Sequence, residues 1–126
     1  MIVYFASDLL WASKIKATAD AIGVPARPVR DTTMLDARLA DSDVRGLLLD
    51  LDAPERAFEL LGHLRVRQKE PEMQAKLSAV RVCAFGPHVN VTDLERAMRE
   101  GCDPVLTRGA MDRSMERVLR LLEGTE

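Results

Sequence analysis

The sequence predicts an α/β fold, a mainly parallel sheet of five short strands alternating with five helices. Three observations carry this. Five apolar runs stand at residues 2–6, 26–29, 47–51, 80–85 and 105–107. A segment with helical periodicity follows each run. Leu47-Leu48-Leu49 is continuously apolar rather than alternating, as a parallel strand covered on both faces requires.

The first strand is Ile2-Val3-Tyr4-Phe5-Ala6. A helix follows over residues 8–22, with Trp11, Ile15, Ala19 and Ile22 on one face. Ser7 or Asp8 can cap its start, and Gly23 supplies its stop. The second strand is interrupted by Pro25 and Pro28. Proline cannot donate to a ladder, so this strand belongs at a sheet edge. Thr32 or Thr33 opens a short second helix that runs to Ala40. The third helix follows Asp52-Ala53-Pro54-Glu55, with Asp52 as N-cap and proline in the first turn. It carries Phe58, Leu61 and Leu64 and fades near Gln68. Residues 69–78 read as a polar connection around Pro71 with room for a short helical turn. The fourth helix starts near Asn90 or Thr92, where Thr92-x-x-Glu95 fits a capping box, and ends at Gly101. Met111, Met115, Val118 and Leu122 form the stripe of the fifth.

The chain has 126 residues, the size of one domain spanning 1–126, and no linker, internal repeat or low-complexity tract divides it. Its formal net charge of −2 gives no reason to expect nucleic acid or an acidic membrane as partner. The apolar run at the N-terminus has no basic flank and is too short for a leader or a membrane span. Cys83 and Cys102 form no Cys-x-x-Cys pair and read as reduced, buried thiols. Cytoplasmic localisation is the expectation. No G-x-G-x-x-G follows a strand, and no P-loop, G-x-S-x-G elbow or D-x-H-x-x-G occurs.

In open parallel sheets ligands bind at the carboxyl ends of the strands. The candidates are therefore Ser7 and Asp8, Asp31, Asp50 and Asp52, Gly86-Pro87-His88, and Arg108. Neighbouring carboxylates raise one another's pKa, and a hard cation often belongs between them. Asp8, Asp50 and Asp52 are the candidate metal ligands. Asp8 and Asp52 also suit helix caps, and Asp50 also suits a strand-end acceptor of backbone N–H groups. His88 reads as a solvated loop residue on the rim.

Over essentially its whole length the chain resembles a response-regulator receiver domain. Leu48-Leu49-Asp50-Leu51-Asp52-Ala53-Pro54 is similar to the family's third-strand end, where an aspartate accepts a phosphoryl group and a proline follows four residues later. Ala97-Met98-Arg99-Glu100-Gly101-Cys102-Asp103 resembles the family's fourth-helix ending. The resemblance implies a three-layer αβα, flavodoxin-like domain with strand order 2-1-3-4-5. It makes Asp50 the phosphoacceptor candidate and puts Arg108, as phosphate-contact candidate, at the family's lysine. The family's acidic pair that holds Mg²⁺ falls on Ala6 and Ser7, and its switch Ser/Thr falls on Gly86. Asp50 with Asp8 or Asp52 would make a poor Mg²⁺ site, and no hydroxyl remains at Gly86 to start the conformational relay.

Trp11 reads as a core residue close to this rim, and Met98, Met111 and Met115 as core. Arg113, Arg117 and Arg120 read as a solvated face, with Glu116 and Arg120 paired at helical spacing. The expected function is a stand-alone atypical receiver-like module, not an enzyme, that signals through a protein partner without phosphorylation. A homodimer is one form of such a partnership. One alternative is an Mg²⁺-dependent response regulator phosphorylated on Asp50. Another is a small-molecule-binding or enzymatic domain on a flavodoxin-like scaffold, which would show a deep apolar pocket at the rim.

Overall fold

All five strands form in the computed structural model, which describes residues 1–125. In chain order the elements are β1 (Ile2–Phe5), α1 (Leu9–Ala21), β2 (Ala26–Pro28), α2 (Thr32–Asp41), β3 (Gly46–Asp50), α3 (Pro54–Lys69), α4 (Pro71–Leu77), β4 (Arg81–Gly86), α5 (Val91–Arg99), β5 (Val105–Thr107) and α6 (Arg108–Glu123). The sheet is parallel throughout, in the order β2-β1-β3-β4-β5. Ile2 lies opposite both Ala26 and Gly46, and Gly46 lies opposite Arg81.

Side chains alternate along each strand and so divide the core into two layers. Ile2, Tyr4, Leu48, Cys83 and Phe85 pack beneath α1 and α6, against Trp11, Ile15, Met111 and Leu119. Val3, Phe5, Leu47, Leu49 and Val82 pack on the opposite face, against Leu35, Leu39, Phe58, Leu61 and Leu64. The proline-bearing β2 is at the edge, as expected. Its outward carbonyls accept from side chains: Lys16 Nζ lies 3.2 Å from Ala26 O, and Arg38 Nη2 lies 3.5 Å from Pro28 O. Such capping shields an edge from pairing with another strand.

Several local expectations are corrected. Six helices are present among the described residues, because residues 71–77 form α4. Glu70, preceding a proline, is forced into extended backbone at ψ 127°. That ends α3, and Pro71 then opens α4 at a position where its missing N–H costs nothing. Buried Leu77 anchors this helix, and its carbonyl accepts from Gln68 Nε2 at 2.9 Å. Asp52 does not cap α3: the N-cap is Ala53, which makes no side-chain bond. The capping box at Thr92 does not form, since α5 starts after Asn90 and Thr92 lies inside it. Thr32 opens α2 as expected, and Asp31 caps it, its Oδ1 accepting from Met34 N at 2.7 Å. Met98 is exposed while Met111 and Met115 are buried. Ala97 takes the inward position on α5 and leaves Met98 outside with Val91, seven residues before it. No helix of the described residues is long and apolar enough to cross a membrane.

Candidate functional site

Strand parity decides where Asp50 points. Leu48 faces the α1/α6 layer, and Asp50, two residues on, shares that face. It therefore ends β3 beneath the start of α1. Its residue exposure is 0%, and it is the one buried polar or charged residue among those described. An ionised carboxylate there needs donors, and the neighbouring turns supply them. Ser7 donates twice to Oδ2, from its backbone N at 2.9 Å and from Oγ at 2.6 Å. Asp52 N donates to Oδ1 at 3.0 Å.

Asp52 turns its own carboxylate outward. Its Oδ2 lies 2.9 Å from Arg108 Nη2, with both side chains partly exposed. This pair joins the turn after β3 to the start of α6. Arg108 Nε is buried and has no hydrogen-bond partner among the described residues. Asp8 is committed elsewhere: it caps α1, its Oδ1 accepting from Trp11 N at 2.9 Å. Trp11 is buried against Phe85 of β4, with ring centroids 4.8 Å apart.

At Gly86 the space a side chain would take is filled by packing. Leu51 N donates to Phe85 O at 2.7 Å, and this lays Leu51 over the end of β4. A Cβ built on Gly86 would stand 2.9 Å from Leu51 Cβ, so a serine or threonine there requires Leu51 to move. His88 is exposed in the following turn, and Asp31 is spent on its cap. Neither makes any of the hydrogen bonds that surround Asp50.

The rim therefore unites Ser7, Asp50, Asp52 and Arg108 and leaves Asp8, Asp31 and His88 outside the network. The proposed metal trio of Asp8, Asp50 and Asp52 does not converge. Mg²⁺ demands near-octahedral oxygen ligation, and these donors do not fit it. Asp50 Oδ2 already carries two donors and Oδ1 one, Asp8 faces its helix, and Asp52 is paired to Arg108. Among the described residues no group of three or more His, Cys, Asp or Glu side chains is placed to hold a metal ion.

An open cleft of about 450 Å³, bordered by Tyr4, Ser7, Leu9, Ala12, Pro28 and Val29, lies on the β2 side of β1. The Arg108–Asp52 pair sits on the opposite side of β1. Both thiols are unpaired and buried. Burial pushes the Cys83 thiol strongly up, and pushes Cys102 up to about 11, so neither is a thiolate at neutral pH.

Sequence reasoning missed three features. Leu51 as the group covering Gly86 left no trace in the pattern. The contacts of Asp36 with His63 and Arg67 join residues 27 and 31 positions apart, with no motif to flag them. The third was legible: Leu9-Leu10-Trp11 puts three apolar residues in one helical turn, and only one can face the core. Trp11 does so, and Leu9 and Leu10 are left 81% and 66% exposed.

No protein-family model matches the chain, and no curated protein matches it. Solved structures do. The receiver domain of NtrX from Brucella abortus is similar over 100% of both chains, at 17% identity and a TM-score of 0.74. The receiver domain of a sensor histidine kinase from Pseudomonas aeruginosa, solved with magnesium coordinated in its active-site cleft, matches with a TM-score of 0.74 at 15% identity, covering 98% of this chain and 96% of that one. The beryllofluoride-activated NtrC4 receiver domain dimer matches with a TM-score of 0.69 at 11% identity, covering 99% and 98%. Likeness at such low identity is a likeness of architecture. The strand order, the parallel register and coverage of nearly the whole chain agree on it: the protein has the fold of response-regulator receiver domains.

Proposed function

We propose that the protein is a receiver-like signalling module that acts by protein–protein contact and does not depend on phosphorylation. One observation carries the reading. Asp50, the phosphoacceptor candidate, is wholly buried, and its oxygens are held by Ser7 and Asp52. Phosphoryl transfer to a carboxylate needs an accessible oxygen, a neutralising metal and a cation at the transferring group. Here the oxygens are engaged and the cation, Arg108, is paired to Asp52. The close contact between Leu51 and Gly86 supports the same reading, since a hydroxyl relay lacks both its hydroxyl and the room for one.

Exposed apolar residues support a protein partner. Leu9 and Leu10, in the first turn of α1, and Val89, in the turn after β4, stand 66–81% exposed around the rim, and Val91 and Met98 line the outer face of α5. Apolar side chains collected at one end of a fold mark interaction surfaces. A second copy of the chain is one candidate partner, and the α5 face is where we place that contact. The reading is non-catalytic. Two free, buried thiols support a reducing compartment, the cytoplasm.

The test is intact mass after incubation with Mg²⁺ and a small acyl phosphate, with Asp50→Asn as control. The expected result is no adduct. A phosphoryl adduct present in the wild type and lost in Asp50→Asn overturns phosphorylation independence and makes the protein a phosphoryl-accepting switch.

A further inference from the structure

We infer that the Ser7 side chain is a built-in substitute for a cation, a clasp that compensates Asp50 from within the chain and makes the folded rim independent of divalent metal. The inference deepens the reading above, since both concern Asp50, but it is tested by a different measurement.

A buried charge is costly. A carboxylate withdrawn from water must be compensated by donors or by a cation. Asp50 is fully buried, and three donors compensate it, two of them from Ser7. Arg108 contacts Asp52 and not Asp50. The hydroxyl at 2.6 Å thus holds the side of Asp50 that faces the turn after β1, where a cation shared between β1 and β3 would have to bind.

The clasp also fixes geometry. Ser7 stands between the end of β1 and Asp8, the N-cap of α1. Its bonds to Asp50 therefore set where α1 begins, and with it the exposed Leu9-Leu10 pair. Leu10 lies one turn before Lys14, which bonds Asp112 at 2.8 Å, and Asp112 lies one turn after Arg108. The apolar pair is thus presented at all times by an internal hydroxyl, with no effector to bind or lose.

Replacing Ser7 by aspartate would set a second carboxylate against the buried one. Two carboxyl groups in contact do not both stay ionised unless a cation lies between them. The variant should therefore depend on a divalent cation where the wild type does not.

The experiment is thermal unfolding of wild type, Ser7→Asp and Ser7→Ala, each in chelator and in saturating Mg²⁺. The wild-type midpoint is expected to be the same in both. Ser7→Asp is expected to unfold about 5 °C or more lower in chelator and to recover on addition of Mg²⁺. Ser7→Ala guards against a variant that fails to fold: it should lose about 3–6 °C, equally in both conditions. A wild-type midpoint raised by Mg²⁺, with the rise abolished in Asp50→Asn, overturns the inference. So does a Ser7→Ala midpoint equal to that of the wild type. Neither of these results depends on whether a phosphoryl adduct forms, so failure of the clasp is distinguishable from failure of phosphorylation independence.

Discussion

Asp50 and Gly86 show how much a single position can disclose. Asp50 ends an apolar strand, which makes it one of several candidates at the sheet's carboxyl end, and the resemblance carried by the proline four residues later singles it out. Its partners are not in the pattern, because Ser7 lies 43 residues away and meets it only across the sheet. Gly86 is the reverse case. The sequence shows a glycine at the end of β4, and only packing shows that Leu51 closes over the place. Threonine at Gly86 must push Leu51, itself fully buried, out of its position. Gly86→Thr is expected to lower stability by about 1–3 kcal/mol, as overpacked cores do, read from the urea midpoint at unchanged slope. An unchanged midpoint would mean that Leu51 swings aside freely and that the position can still host a hydroxyl.

Between elements, the α2–α3 contact holds a connected set of charges. Asp36 Oδ1 on α2 lies 2.8 Å from His63 Nε2 and 3.0 Å from Arg67 Nε, both on α3. Arg67 also holds Glu70 through Nη1. Partial burial pushes Asp36 up, but the hydrogen bonds from His63 and Arg67 and their charges outweigh it and hold the carboxyl below its usual value. A carboxyl lowered on folding stabilises the fold at every pH above its unfolded value, about 3.9. That stability is lost as the pH falls through the lower folded value. Asp36→Asn is therefore expected to flatten the acid side of the stability–pH curve and to leave its shape above pH 6 nearly unchanged, as followed by chemical unfolding. An identical acid limb in both proteins would remove Asp36 from the account. The side chains are about a third exposed, so the effect should shrink in high salt. The elements themselves were mostly legible, since α1, α3 and α6 each bury a stripe at helical spacing. The caps were less so. Asp52 satisfies every local rule for an N-cap, and a tertiary partner, Arg108, takes its carboxylate instead.

Across the whole molecule, the two core layers and the apolar rim carry different kinds of hydrophobic residue. Leu35 and Leu49 are fully buried in the layer covered by α2 and α3. Truncating either to alanine is expected to cost about 2–5 kcal/mol. Leu9→Ser together with Leu10→Ser is expected to change stability by no more than about 0.5 kcal/mol each, since both side chains already face water. Urea unfolding of the two sets makes the comparison, and a costly Leu9/Leu10 change would mean that the pair serves the fold and not a partner. By itself the sequence determined the alternation of strands and helices, the edge position of β2, the two-sided burial of β3 and the group of residues at the carboxyl end of the sheet. These follow from periodicity and from proline chemistry, which act over a few residues and are written locally. Only the tertiary structure decided that Asp50 is held by Ser7, that Asp52 belongs to Arg108, that Leu51 fills the space at Gly86 and that residues 71–77 are helical. The contacts of Asp50, Asp52 and Gly86 join groups that meet only in the assembled fold, and the helix over 71–77 is anchored by Leu77, whose burial is likewise a property of that fold.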